Sequence, residues 1–82
     1  MHQIDVNENG GATVVAASGE LDAFVADDLS EALARTAQDS RIVVDLVSVS
    51  FMDSTALGIL VRAVREVDAR DGEVRVVLPR GT

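Results

Sequence analysis

The 82-residue chain has no cysteine, lysine, tryptophan or tyrosine, and a single histidine and proline. Each absence closes a class of chemistry. Without cysteine there can be no disulfide, thiolate nucleophile or cysteine metal site. Without lysine there is no Gly-Lys-Thr phosphate loop and no Schiff base. The lone His2 stands beside the N-terminus, where chain ends fray, so it reads as a disordered histidine rather than a general base or ligand. Met1-His-Gln-Ile-Asp-Val lacks both the basic start and the apolar stretch of a signal peptide. No apolar run approaches the ~20 residues that span a bilayer. The expectation is a soluble cytoplasmic protein that does not enter membranes.

Hydrophobic residues make up 48% of the chain, yet only two are Phe, so the core must be built from Val, Leu, Ile and Ala. This length is that of one small domain, whose limited core size bounds its stability. The reading is a single domain over residues 1–82.

Charge is divided unevenly. Residues 1 to 34 carry seven acids (Asp5, Glu8, Glu20, Asp22, Asp27, Asp28, Glu31) and no Lys or Arg, while the remainder carries seven acids and seven arginines, so the net charge of -7 lies in the first part. Such a field repels nucleic acid and anionic membranes and favours a partner with a basic surface. Asp27, Asp28 and Glu31 read equally as a solvated helix face.

The pattern of elements is α/β. Ile4 and Val6 alternate with polar neighbours, Asn9-Gly10-Gly11 tolerates positive φ, and Thr13 to Ser18 follows, which together predict a β-hairpin. Leu21, Val25, Leu29 and Leu33 recur every four residues behind Asp22, so a helix with Asp22 as its N-cap is expected there. Arg41-Ile-Val-Val-Asp-Leu46 reads as a buried strand of a parallel sheet. A second helix carries Leu57, Leu60, Val61, Val64 and Val67 as its apolar stripe. Asp71-Gly72 turns into a strand over Glu73 to Leu78. These make two βαβ units after the hairpin, with both helices on one face if the strands lie in sequence order. Ile42, Val43 and Val44 are apolar on both sides of their strand, so the other face is expected to need cover from further elements or from a second copy.

Chemistry concentrates at Phe51-Met-Asp-Ser-Thr-Ala-Leu-Gly-Ile-Leu60, where a strand hands over to a helix. Asp53 or Ser54 suits the N-cap, since a short side-chain oxygen can accept from an unpaired first-turn N–H. The same N–H groups and the helix dipole would accept a phosphate on Ser54. The residues alone support both readings, a plain cap and a phosphate acceptor. Asp45 invites comparison with a phosphoacceptor aspartate of a receiver domain, but the lysine such a site uses is missing. Asp45 and Asp53 lack a third ligand at metal spacing. Nothing near Ser54 in sequence offers a base for nucleophilic catalysis, so no enzyme activity, cofactor or metal is assigned. At about 100° per residue Thr55, Ile59, Arg62 and Glu66 share a face opposite the apolar stripe, which makes Ile59 an exposed apolar residue near Ser54 with Arg62 at its rim.

The run Ile42 to Leu60, preceded by Gly19-Glu-Leu-Asp22, resembles the STAS domain of bacterial anti-sigma factor antagonists, and the resemblance covers nearly the whole chain in order. It implies a STAS-like mixed sheet and a phosphorylation-switched binding protein. In that family the serine directly after the aspartate is the phosphoacceptor, which maps onto Ser54; Thr55 is the neighbouring hydroxyl. The implied partner is an anti-sigma factor that is itself a serine kinase, met on a surface of Asp22, Asp53, Ser54, Thr55, Ile59 and Arg62. The unphosphorylated form would capture it and free a sigma factor; a phosphatase and a second copy of the chain are further candidate partners. The alternative is a constitutive STAS scaffold in which Ser54 only caps the helix, with nucleotide binding at the same helix start a weaker third reading. Two departures stand out. Ala56 occupies a position where the family commonly has glycine, and the chain stops at Pro79-Arg-Gly-Thr82 where family domains usually continue, so a C-terminally shortened domain is expected.

Overall fold

The computed structural model describes residues 2–36 and 38–80. The elements run β1 (His2–Asn9), β2 (Ala12–Leu21), α1 (Ala26–Ala34), β3 (Arg41–Met52), α2 (Ser54–Ala69) and β4 (Glu73–Val77). They form one four-stranded sheet in the order β1-β2-β3-β4, antiparallel at the hairpin and parallel from β2 onward. The α/β class, the hairpin and the two crossover units are thus as the sequence predicts.

Gly10 and Gly11 both adopt positive φ (62° and 84°), which the two-residue turn between Asn9 and Ala12 requires and which favours glycine. Alternation along β2 sends Thr13, Val15 and Ala17 inward, matched by Ile42, Val44 and Leu46 of β3. Both helices cover this side. Leu29 and Leu33 of α1, and Ala56, Leu60 and Val67 of α2, close an aliphatic core over it. Burying a side chain such as Leu29 contributes about 1.5–3 kcal/mol.

Several local expectations change. β3 is twelve residues long and does not end near Leu46; Asp45 lies in its middle. The register with β2 passes from Ala16↔Asp45 to Ser18↔Ser48, and from Gly19↔Val49 to Glu20↔Phe51, so β3 accommodates an extra residue twice. Asp45 supports the first bulge, its Oδ1 accepting from the N–H of Val47 at 3.0 Å. His2 is not frayed: it belongs to β1, and its Nε2 lies 3.2 Å from Asp28 Oδ2 of α1. Gly81 and Thr82, part of the chain ending noted above, lie outside the described residues.

Asp22 is not the N-cap of α1. Its Oδ1 accepts from Phe24 N–H at 3.0 Å and its carbonyl accepts from Val25 N–H at 3.1 Å, a turn that precedes the helix, whose cap position is Val25. Burial explains this. Leu21 finishes β2 and is fully enclosed, so the chain must turn once before Val25 and Ala26 can re-enter the core.

The roll of α2 also differs from the stripe. Ala56, Leu60 and Val67 are buried, with Ile59, Ala63 and Val64 half-buried beside them, whereas Leu57 and Val61 are exposed. Small Ala56 and Ala63 are on the core side of the helix, and Leu57 and Val61 lie on the flank beside Val76 of the short edge strand β4. Ile59 therefore packs between α2 and α1, lining a cleft with Leu33 and Ala34. The outer face of the sheet is less apolar than Val43 suggested. Val43 is half-buried between Val14 and Arg75, and the next row brings in Asp5 and Asp45.

Candidate functional site

Parallel β2 and β3 end side by side, with Leu21 paired to Met52, and the N–H of Asp53 donates to the carbonyl of Leu21 at 3.0 Å. That bond joins two successive chain reversals: the Asp22 turn into α1 and the Asp53 entry into α2. The C-terminal edge of a parallel sheet, where strands hand over to helices, is where α/β folds commonly place their sites.

Asp53 caps α2. Its backbone is extended (φ −91°, ψ 178°), and its Oδ1 accepts from the N–H of Ala56 at 3.0 Å while its carbonyl accepts from Leu57 N–H at 3.0 Å. With the cap assigned to Asp53, Ser54 is the first helical residue and its hydroxyl is not needed to start the helix. Ser54 and Thr55 are exposed and Asp53 is half-buried. Ala56 is completely buried, so its methyl is part of the core.

This arrangement presents a free-standing hydroxyl at the positive end of a sixteen-residue helix. The N–H groups and the dipole at such a helix start favour an anion. Among the described residues no three His, Cys, Asp or Glu side chains gather as a metal site.

The residues singled out from the sequence divide into two groups. Asp22, Asp53, Ser54 and Thr55 come together at this edge. Arg62 lies two turns along α2, about 12 Å further by helical rise, and lines the cleft between the helices with Ile59, Glu66 and Arg70. Ile59 is a packing residue there and not an open apolar tip.

Two surface features went unread in the sequence. Phe24, in the Asp22 turn, is 95% exposed. Its place off the Leu21, Val25, Leu29, Leu33 stripe was the available signal. The second is a groove of about 870 Å³ between the outer flank of α2 and the ends of β3 and β4, where Phe51, Leu57, Val61, Val76 and Leu78 are exposed.

The family model for the STAS domain matches residues 3–82. The chain belongs to the STAS domain family. A curated relative, the anti-sigma F factor antagonist of Paenibacillus polymyxa, is 33% identical over 78 residues, covering 90% of this STAS domain and 66% of the relative. The anti-sigma-B factor antagonist of Staphylococcus aureus is 37% identical over 65 residues, 77% of this domain and 60% of that protein. The crystal structure of an anti-sigma factor antagonist from Mycobacterium paratuberculosis superposes with a TM-score of 0.87 at 31% identity, over 99% of this chain and 69% of that one. This STAS domain thus spans about two thirds or less of the length of these curated relatives. None of its helices is long and apolar enough to cross a membrane among the described residues.

Proposed function

We propose that this STAS domain is an anti-sigma factor antagonist switched by phosphorylation of Ser54. Its unphosphorylated form binds an anti-sigma factor that is also a serine kinase, and this capture releases a sigma factor for transcription. The observation that carries the reading is the exposed Ser54 hydroxyl at the first position of α2, relieved of the capping role by Asp53 and set beside the Asp22 turn. The names of the curated relatives support the partner class.

The switch is electrostatic. Phosphorylation brings about -1.5 to -2 charges to a contact surface already holding Asp22 and Asp53, and a surface that must desolvate on binding tolerates this poorly. Because the helix start can hold the phosphate in place, the fold need not change. The domain acts as a binding module and as the substrate of its partner's kinase activity, and a phosphatase resets it.

The test is to incubate the chain with ATP and each purified anti-sigma kinase of its host, follow the intact mass, and titrate both forms against the same kinase. One phosphate is expected, absent in Ser54→Ala, with the phosphorylated chain and Ser54→Asp binding more weakly than the unmodified chain. An unlabelled chain whose binding is indifferent to Ser54→Asp would leave a constitutive scaffold.

A further inference from the structure

Phe24 is one of only two phenylalanines in the chain, and it is 95% exposed in a turn whose Asp22 and Val25 have structural tasks and whose one other member, Ala23, is a small exposed residue. Asp22 holds the turn through the N–H groups of Phe24 and Val25. Val25 and Ala26 are buried against the core. With its own N–H held by Asp22 and the next residue buried, Phe24 projects its ring from a held backbone, which lowers the ordering needed when a partner covers it. The Leu21–Asp53 bond places this turn next to Ser54.

We infer that Phe24 is the apolar anchor of the partner surface, filling a pocket on the anti-sigma factor whose rim is basic; this rests on the function proposed above. The choice of occupant follows from charge. Residues 2–34 contain no Lys or Arg, and Asp27 and Asp28 stand exposed in the first turn of α1 directly after the ring. A second copy meeting this patch through a two-fold axis would press the same acids against each other. Anionic bilayers and nucleic acid meet the same repulsion. A protein pocket that takes an aromatic ring and surrounds it with arginine or lysine satisfies both features, and rigid aromatic side chains at the centre of an interface commonly carry most of its affinity. Phe24 then supplies affinity, the acids supply encounter rate, and Ser54 supplies control.

The experiment measures association and dissociation of the wild-type chain, Phe24→Ala, Phe24→Leu and the double variant Asp27→Asn, Asp28→Asn against each purified anti-sigma factor of the host, at low and high salt. Phe24→Ala should dissociate about tenfold faster or more, with Phe24→Leu recovering part of the loss and the melting temperature unchanged. The double variant should associate more slowly with a flatter salt dependence and dissociate as wild type does. If a host factor binds wild type and Phe24→Ala equally, the anchor assignment is overturned while the proposed function stands. If none binds the wild-type chain, the proposed function fails and the anchor with it. Loss of self-association alone in Phe24→Ala would make a second copy the occupant, and a lowered melting temperature would make Phe24 a packing residue; either result overturns the inference.

Discussion

Asp53 donates its backbone N–H to the carbonyl of Leu21 at 3.0 Å, and this bond extends the β2–β3 pairing to the start of α2 so that the two chain reversals form one corner. On one side of it stands the Asp22–Phe24 turn, and on the other the capped helix start with Ser54. The bond crosses 32 residues of sequence. Together with the pairing of β2 and β3 it brings an acidic turn and a serine, each ordinary where it stands in the chain, to one surface.

The division of labour between Asp53 and Ser54 is measurable as stability. Asp53→Ala removes the side-chain acceptor for Ala56 N–H and is expected to cost about 1 kcal/mol. Ser54→Ala, at an exposed position without a capping role, should stay within about 0.5 kcal/mol of wild type. Urea denaturation of the two variants checks this, and equal losses would return a share of the cap to Ser54.

The roll of α2 makes opposite expectations for two of its large apolar residues. Ile59→Ala should destabilise by about 1–3 kcal/mol because the side chain packs against the core between the helices. Leu57→Ala, on the 53% exposed flank, should cost less than Ile59→Ala does. Thermal melts of the pair decide it; the reverse order would restore the stripe read from the sequence.

Arg70 ties the end of α2 to the segment leading into β3. Its Nη2 donates to the carbonyls of Thr36 and Asp39, both at 2.9 Å, and its Nε to Asp39 at 3.3 Å. Because these are charge-assisted bonds to backbone, Arg70→Ala is expected to cost about 1–2 kcal/mol, and Arg70→Lys, lacking the planar fork, should recover only part. Amide exchange should quicken in residues 38–40 of the Arg70→Ala chain; protection equal to wild type would show that the fork is idle.

The groove beside β4 exposes Phe51, Leu57, Val61, Val76 and Leu78 together. An apolar surface of this kind next to an edge strand favours association. Sedimentation of the 82-residue chain is expected to show concentration-dependent self-association, and Leu57→Ser with Val61→Ser should shift it toward monomer. A wild-type chain that stays monomeric across the dilution series would show that the groove remains hydrated.

Much of this protein was legible from local chemistry. Gly10-Gly11 permits the tight hairpin turn, Leu29 and Leu33 announce the buried side of α1, and the β-branched run from Ile42 predicts a central parallel strand, because periodicity and φ preferences act within a few residues. The STAS family and the start of α2 at Asp53-Ser54 were likewise carried by a contiguous motif. What the tertiary structure decided depends on contacts across the chain. The roll of α2 turned small Ala56 and Ala63 toward the core, left Leu57 and Val61 exposed, and left Ile59 half-buried in the cleft beside α1. Asp22 became the pivot of a turn and not a cap because Leu21 had to finish its strand before Val25 could be buried. The exposure of Phe24 followed from that same turn. Hydrophobic spacing records that a side chain is apolar and how often it recurs. Which apolar side chains are covered is decided by the neighbours that the fold brings to them.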